Sequence, residues 1–384
     1  WDTSTALSLL GTYALFVYLT PIVGGWLADN KIGYRMAVVI GALLMTLGHA
    51  SMAIETPTFL YIGIALLIVG NGFFKPNMTS IISKMYAGKD EKKDGAYNIF
   101  YMGVNAGAFI GIMLCGWVGE KIGWSYGFGL AGIFMFLGML QFYYAQSIFG
   151  SLGDKPKKIE TNTTNITSKN KTEEKLNPFS MLDYSLIVIF IISALIFIIN
   201  DPLSKIGNIQ LLNFSIAGMS DSLFFALIAA ITFIILLIVR IPRYTKIERD
   251  RMIAFTIFCL FTIFFWAAFE QAGSSLTFIA DNQTDRNFFG YNMPPSMVQI
   301  FNGLFVVAFA VPFSMLWDYL RSKDREPISP VKQAVGLGLI ALSYFIIAYN
   351  VKDLGNSGLL AIKWLILLYL IQTCAELCLS PIGL

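Results

Sequence analysis

The sequence predicts an all-α protein that crosses a membrane many times. Of its 384 residues, 56% are hydrophobic and only 13% are charged, whereas an ordinary soluble domain carries about 25% charged residues. The apolar residues are gathered into long runs, and Lys and Arg are concentrated in every second connection between those runs. These three observations together predict a polytopic bundle of transmembrane helices.

Eleven apolar runs are long enough to cross about 30 Å of hydrocarbon as helices. Most of them lack the recurring polar face of a helix on a soluble protein. They cover residues 4–28, 36–54, 58–83, 97–119, 123–147, 181–200, 221–242, 252–280, 296–320, 331–350 and 358–384. Because the sequence begins without Met and the last run has no visible end, we expect further segments beyond both ends.

The basic residues predict the orientation of these spans. Loops on one side carry 21 of the 27 Lys and Arg residues, loops on the other side carry five, and Lys75 lies inside a span. Since basic residues favour cytoplasmic loops, the first side is predicted to be cytoplasmic. Residues 148–180, rich in Lys, Asn and Thr, are predicted to form a mobile cytoplasmic linker on that side.

The composition argues against several functional classes. The only histidine is His49, so neither a zinc-protease motif nor a Ser-His-Asp triad is present. The four cysteines all lie in apolar runs, which argues against a disulfide framework and a metal site. A net charge of +3 gives no reason to expect nucleic acid. We therefore predict no catalytic residue, no metal and no bound cofactor.

Lys75, Glu270 and Glu376 are ionisable residues well inside predicted spans. Each costs about 2.5–3.5 kcal/mol at a helix centre, so such residues usually face a cavity or a partner. Any one of them could belong to a structural ion pair between helices. Together, and with polar or helix-breaking neighbours such as Pro76, they indicate a pathway for a polar solute.

Polar side chains recur at helical spacing in three spans. Each set predicts one polar helix face turned toward an aqueous centre, with hydrogen bonds between helices as the alternative. The first face holds Tyr97, Tyr101 and Asn105, the second Trp266, Glu270, Ser274 and Thr277, and the third Gln299 and Asn302.

Five sequence passages carry a resemblance to a known family. The passage Gly25-x3-Asp29-x3-Gly33-x-Arg35 resembles the loop between helices 2 and 3 of the major facilitator superfamily. The other four passages are residues 72–77, 100–107, 265–271 and 376–384. Their order and spacing resemble the proton-coupled oligopeptide transporter family over the whole chain except 151–220. In that region, two extra spans are similar to the helix pair inserted in bacterial members.

The resemblance implies the major facilitator fold, in which two helical bundles surround a central cavity. Residues 1–147 would be family helices 2–6, residues 181–242 the inserted pair, and residues 243–384 family helices 7–10. Helices 1, 11 and 12 are then expected outside this sequence. The implied function is symport of protons with di- and tripeptides into the cell by alternating access. The implied setting is the cytoplasmic membrane of a bacterium, with the protein working as a monomer in the lipid bilayer.

The resemblance also implies roles for particular residues. Glu376 resembles the acid that receives the amino terminus of the peptide, assisted by Asn105 and Asn302. Ser380 is also expected among the substrate-binding residues. Lys75 resembles the base that faces the peptide carboxylate.

Three further residues complete the implied binding and coupling site. Tyr18 resembles a pocket tyrosine, Trp266 an aromatic wall, and Glu270 the proton carrier of helix 7. Gly11 occupies the position of a histidine in animal members, so proton coupling is expected to rest on carboxylates.

The chemistry of these residues also suits a zwitterion, which needs an anion and a cation held apart. Two alternatives stay open at this point. The first is a carrier of the same fold that moves nitrate or another small solute, against which Glu376 argues because an anion site gains nothing from a carboxylate. The second is a membrane sensor that transports nothing, or a channel.

Overall fold

The structure is a computed structural model that describes residues 3–88, 90–155, 177–206, 209, 211–216, 218–352 and 358–383. Within these ranges, eleven helical segments are long and apolar enough to cross a membrane. The eleven predicted spans are therefore confirmed, with ends that differ by a few residues. The largest difference is at the eighth span, which begins at Lys246 and not at residue 252.

Helices dominate the described residues. They are α1 Thr3–Leu27, α2 Tyr34–Met52, α3 Pro57–Met85, α4 Asp90–Gly111, α5 Trp117–Lys121, α6 Trp124–Tyr144, α7 Met181–Lys205, α8 Asp221–Arg240, α9 Lys246–Phe269, α10 Ser275–Asn282, α11 Ile300–Ser322, α12 Ser329–Val351 and α13 Ile362–Gly383. Short π-helical turns at Ala28–Ile32 and Ile112–Gly116 and 3-10 turns at Ala145–Phe149, Ile241–Arg243, Glu270–Gly273 and Pro295–Gln299 join or extend them.

In the part of the chain that the structure describes, six two-residue strands lie between helices. They are β1 Ser215–Ile216, β2 Met219–Ser220, β3 Thr284–Asp285, β4 Asn287–Phe288, β5 Tyr291–Asn292 and β6 Leu360–Ala361. Strands β1 and β2 pair antiparallel, as do β4 and β5, whereas β3 and β6 pair in parallel. Each pair ties a loop to its neighbours at the end of a span.

The chain separates into two compact units, residues 1–12 with 158–260 and residues 13–157 with 261–384. The first unit contains the helix pair α7–α8, which is joined by polar contacts at both ends. At one end, the fully buried Asp183 carboxylate accepts from Arg240 Nη1 at 3.1 Å and from Arg243 Nη1 at 2.6 Å. At the other end, Asn200 Nδ2 donates to Ser222 Oγ at 3.2 Å.

The second unit has an apolar core where α10, α11 and α13 meet. Its fully or nearly fully buried members include Leu276, Val298, Phe301, Leu365, Leu368 and Tyr369. On the other side of this unit, helices α2 and α3 approach closely through glycines: a Cβ added at Gly41 would lie 2.6 Å from the Gly70 carbonyl oxygen. Close backbone approach through small residues is the usual way that membrane helices pack.

Helices α1 and α3 also meet through a pair of glycines. A Cβ added at Gly24 would lie 2.0 Å from the carbonyl oxygen of Gly72, and one added at Gly72 would lie 2.6 Å from Thr20 Cβ. The contact is reinforced by hydrogen bonds from Thr20 Oγ1 to the Ile68 carbonyl at 2.9 Å and from Asn71 Nδ2 to the Val17 carbonyl at 3.1 Å. These contacts fix the two helices against each other.

Replacing Gly24 with Ala should therefore lower the thermal unfolding temperature of the purified protein markedly. The new methyl group meets a backbone atom, which no rotamer change can relieve, so α1 and α3 must separate. Gly25→Ala is the matched control, because a Cβ at Gly25 meets nothing within 4 Å. Equal unfolding temperatures for the two variants would show that the two helices do not touch at Gly24.

The connection between α11 and α12 is held by an ion network centred on Glu326. Glu326 accepts from Arg321 Nε at 2.7 Å and from Lys332 Nζ at 2.7 Å. The Lys332 ammonium, itself nearly buried, also lies 4.5 Å from the centroid of the Trp317 ring. Hydrogen bonds from Arg321, and then from Lys332, lower the pKa of Glu326 from 4.5 to about 2.

This pKa shift predicts a pH dependence of stability. Because the pKa is lower in the folded state, the network stabilises the fold fully above pH 4.5 and progressively less as the pH falls toward 2. Glu326→Gln should unfold at a lower temperature than the unaltered protein at neutral pH, and that difference should shrink below pH 4.5. Asp324→Asn is the control, because the Asp324 side chain makes no ion pair in the described part of the chain. The difference in unfolding temperature between this variant and the unaltered protein should not shrink below pH 4.5. A Glu326→Gln difference that stayed constant with pH would exclude the network as its source.

Candidate functional site

A single tyrosine links the predicted base and the predicted proton carrier. The Tyr18 hydroxyl donates to Glu270 Oε1 at 2.9 Å, and the Lys75 ammonium lies 5.6 Å from the centroid of the Tyr18 ring. That distance is within the range of a cation–π contact. The resemblance assigned these three residues separate roles, whereas the structure places them in one connected group.

The contact between α1 and α3 explains how Tyr18 reaches Lys75. Tyr18 is two residues before Thr20, and Lys75 is three residues after Gly72, so both side chains lie within one turn of the glycine contact. Helix α3 contains Pro76 and is continuous from Pro57 to Met85. The position of Lys75 is thus fixed through backbone packing.

Glu270 lies where a helix ends. Helix α9 stops at Phe269, a 3-10 turn follows, and the backbone of Ser274 (φ −126°, ψ −94°) interrupts the helix before α10 begins. The predicted single polar face through Trp266, Glu270, Ser274 and Thr277 is therefore wrong beyond Glu270. The remaining two residues belong to separate local arrangements.

Local hydrogen bonds account for the interruption. The Gln271 side-chain oxygen accepts from Ser274 Oγ at 3.1 Å and from Ser275 Oγ at 2.8 Å. Ser side chains that bond locally compete with the helix, and Gly273 weakens it further. Beyond the break, Thr277 Oγ1 accepts from Gln299 Nε2 at 2.9 Å. The sequence signal for this break was the run Gly273-Ser274-Ser275.

The predicted acid for the amino terminus is buried and is held by neutral donors. Glu376 is 7% exposed. The Tyr101 hydroxyl donates to Glu376 Oε1 at 2.5 Å, and Asn302 Nδ2 donates to Oε2 at 3.3 Å. Asn302 also lies 3.1 Å from Thr373 Oγ1. No Lys or Arg in the described ranges is within ion-pair distance of this carboxylate.

The polar face of α4 meets this acid through Tyr101. Asn105, predicted to assist Glu376, donates instead to the carbonyl of Tyr101 at 2.9 Å within its own helix. Tyr101 was recognised on the same face as Asn105, but sequence reasoning left it out of the site. Its spacing of one turn from Asn105 was the signal that could have included it.

The remaining predicted site residues are placed as follows. Trp266 packs edge-on against Phe265 and Phe269, with ring centroids 5.5 and 5.4 Å apart. Lys75 makes no ion pair with any acid in the described part of the chain. Ser380 lies in α13, and its side chain falls outside the residues whose side chains are described.

A cavity of about 230 Å³ brings together residues from both polar groups. Glu270, Gln299, Asn302, Tyr369 and Gln372 line it together with apolar side chains of α4. Asn302, which lines the cavity, also donates to the Glu376 carboxylate. A larger cavity of about 1160 Å³ beside α6 is lined mainly by apolar residues and glycines, so it offers little to a charged ligand.

The predicted loop motif is tied to the segment after α6. Gly33 has a φ of +81°, and a Cβ there would lie 2.7 Å from the carbonyl carbon of Asp154. Arg35 forms an ion pair with Asp154, and its backbone nitrogen donates to the Gly153 carbonyl at 3.1 Å.

The two other members of the motif both precede Gly33, with Gly25 in α1 and Asp29 in the π-helical turn. Asp29 accepts a hydrogen bond from Tyr34, whereas Gly25 has open space around it. Most of the predicted linker, residues 156–176, lies outside the described residues.

Comparisons with known proteins agree with this architecture. A family model described as PTR2, POT family, matches residues 35–384. The chain is 31% identical over 385 residues to the peptide transporter YePEPT of Yersinia enterocolitica, covering 99% of this chain and 72% of that protein. It is 30% identical over 392 residues to a di-/tripeptide transporter of Lactococcus lactis subsp. cremoris, covering 99% of this chain and 73% of that protein.

A solved structure of a peptide transporter has the same fold as this chain. The crystal structure of a peptide transporter POT in complex with sulfate superposes with a TM-score of 0.74 at 32% identity, covering all of this chain and 73% of that one. The implied major facilitator fold is thereby confirmed. The chain belongs to the POT family, a family of multi-pass membrane transporters and not of enzymes.

Proposed function

We propose that this chain carries di- and tripeptides into the cell together with protons, by alternating access, as a monomer in the plasma membrane. The observation that carries the proposal is the buried Glu376 carboxylate, whose hydrogen bonds within the described residues come from the neutral donors Tyr101 and Asn302. A buried charge without a partner is costly, so the ammonium group of an incoming peptide would provide the missing counter-charge. The named relatives are transporters of the same substrate class.

Lys75 supplies the complementary charge. Its ammonium group rests on the ring of Tyr18 and makes no ion pair in the described residues, so it remains available to a carboxylate. An acid and a base that lie in one compact unit, each without an ion-pair partner among the described residues, suit a zwitterionic substrate. A small anion such as nitrate would use Lys75 but would be repelled by Glu376.

Glu270 is the proposed proton carrier. It is exposed where α9 ends, so a proton can reach it. Its hydrogen bond with Tyr18 connects it to the ring on which Lys75 rests. Protonation would remove the negative charge of Glu270 and thereby shift the equilibrium between the outward-open and inward-open conformations. The size of the shift equals the difference between the interaction free energies of this charge in the two conformations.

The decisive experiment is counterflow in liposomes that contain the purified protein. Vesicles loaded with unlabelled Ala-Ala should accumulate labelled Ala-Ala transiently, because a carrier exchanges one substrate molecule for another. Nitrate should neither exchange nor compete. Exchange of nitrate alone would favour the anion carrier, saturation-free flux would indicate a channel, and the absence of any flux would favour a sensor.

A further inference from the structure

The hairpin formed by β4 and β5 has an unusual residue at its tip. The two strands pair in register and leave a two-residue loop of Phe289 and Gly290. Both loop residues have positive φ angles, +50° and +85°, as a type I′ turn requires. Asn-Gly is the preferred sequence for such a turn, whereas a bulky side chain is strained in this backbone conformation. The chain therefore carries Phe289 at a position that does not favour it.

The packing of Phe289 within the protein does not account for this strain. Its side chain is 95% exposed, the highest value for a large apolar residue in the part of the chain that the structure describes. Its ring meets that of Phe288, with centroids 4.8 Å apart, and Phe288 in turn packs against Phe301 at 5.7 Å. An observed strained residue is a reason to look for a function, and an exposed ring directs that search to a partner outside the protein.

The position of the hairpin places Phe289 at the level of the membrane surface. Residues 283–294 connect the spanning segments Lys246–Asn282 and Pro295–Ser322. Phe301 is buried near the start of the second segment, and the Phe289 ring lies no farther from Phe301 than the two ring distances combined. Because the head-group layer extends about 5–8 Å beyond the hydrocarbon on each side, the ring is within reach of lipid.

Other residues at the same end of the spans have the composition of a membrane interface. Tyr291 on β5 and Leu359 next to β6 are both exposed. Strand β6 is tied to β3, which precedes the hairpin, and it is followed by Trp364, with the Lys363 ammonium 5.4 Å from the centroid of its ring. Tyr and Trp are enriched where the bilayer meets water, because each combines an apolar ring with a polar group. These neighbours favour lipid as the partner of Phe289.

From this geometry, we propose that the β4–β5 hairpin is a membrane-binding loop and that the Phe289 side chain inserts into the bilayer between head groups and acyl chains. Insertion removes the ring from water, which is favourable in proportion to the apolar area buried and offsets the strain of the turn. The loop would hold the end of α11 at a fixed depth in the bilayer. The inference involves no transported solute, so it stands independently of the proposed function.

The test uses a nitroxide label on the neighbouring strand as a depth gauge, so that Phe289 itself stays in place. The full chain with Asn292→Cys is labelled and reconstituted into liposomes of phosphatidylcholine and phosphatidylglycerol. Power saturation measures the exposure of the label to oxygen, which concentrates in lipid, and to a water-soluble nickel chelate. Labels at Ile192, exposed on α7, and at Asp324, exposed between α11 and α12, supply the lipid and water reference values. The signal from native cysteines is measured on the unaltered protein and subtracted.

With Phe289 present, the ratio of oxygen to nickel exposure should lie between the two reference values. Adding Phe289→Asn should shift this ratio to the water value, because the ring no longer holds the hairpin in lipid while Asn-Gly retains the turn. Adding Phe289→Trp should leave the ratio unchanged. If Phe289→Asn does not fold, Phe289→Gly replaces it, since glycine adopts positive φ without strain.

A ratio that stays the same in Phe289→Asn would overturn the inference, because the ring would then have no part in the depth of the hairpin. A water-like ratio in every variant would overturn it as well. Low exposure to both oxygen and the nickel chelate would show that protein covers the hairpin, as a second copy or a closing entrance would, and would equally exclude lipid as the partner.

Discussion

Glu376→Gln should lower the affinity for peptides with a free amino group by about 10- to 100-fold. The substitution keeps the shape and one acceptor oxygen but removes the charge, and a hydrogen bond to a charged partner contributes about 1.5–3 kcal/mol. Tyr101 and Asn302 can still contact a neutral side chain at this position, so the local structure should persist. The affinity is measured by competition with labelled Ala-Ala at fixed pH.

N-acetylated peptides provide the substrate control for this experiment. They carry no ammonium group, so their weak binding should change little in Glu376→Gln. Glu120→Gln is the matched protein control. The Glu120 carboxylate accepts a hydrogen bond of 3.1 Å from the Ser296 backbone nitrogen and is not part of the proposed amino-terminal site. An equal loss of affinity for free and acetylated peptides would refute the assignment of Glu376.

The second large effect is expected at Glu270. Glu270→Gln should abolish the accumulation of peptide against its gradient when the outside is acidified, because the amide cannot take up and release a proton. Exchange of peptide down its gradient should persist in part. The two activities are measured on the same liposomes, the first with an imposed pH gradient and the second by counterflow without one.

Tyr18→Phe is an informative companion to this variant. It removes the hydroxyl that donates to Glu270 and keeps the ring beneath Lys75, so accumulation should weaken while peptide affinity stays close to normal. If Glu270 has only a structural role, both transport activities should fall together with the thermal unfolding temperature. Continued accumulation by Glu270→Gln under a pH gradient would mean that another group carries the proton.

The spans could be predicted from sequence because apolar length alone defines them. Every predicted run corresponds to a helix that is long enough to cross. The break after Phe269 could not be predicted in the same way, because residues 270–282 have helical spacing and their local hydrogen bonds decide the outcome. Helix periodicity records which positions share a face but not whether the helix continues between them.

The sequence allowed the site residues to be predicted from their types, but it did not allow their contacts with one another to be predicted. The buried charges of Lys75, Glu270 and Glu376 were evident from their cost in the membrane. The hydrogen bond between Tyr18 and Glu270 joins residues 252 positions apart, and the one between Tyr101 and Glu376 joins residues 275 apart. Such pairings depend on how distant helices pack, which one sequence does not contain.

The polar contacts at both ends of α7 and α8 have a consequence for biosynthesis. Asp183 binds Arg240 and Arg243, and Asn200 binds Ser222, so these contacts satisfy polar groups within the two helices themselves. When this hairpin leaves the ribosome and enters the lipid, its polar side chains find partners without waiting for later helices. We therefore expect it to insert as a complete piece during synthesis, before the later helices have been made.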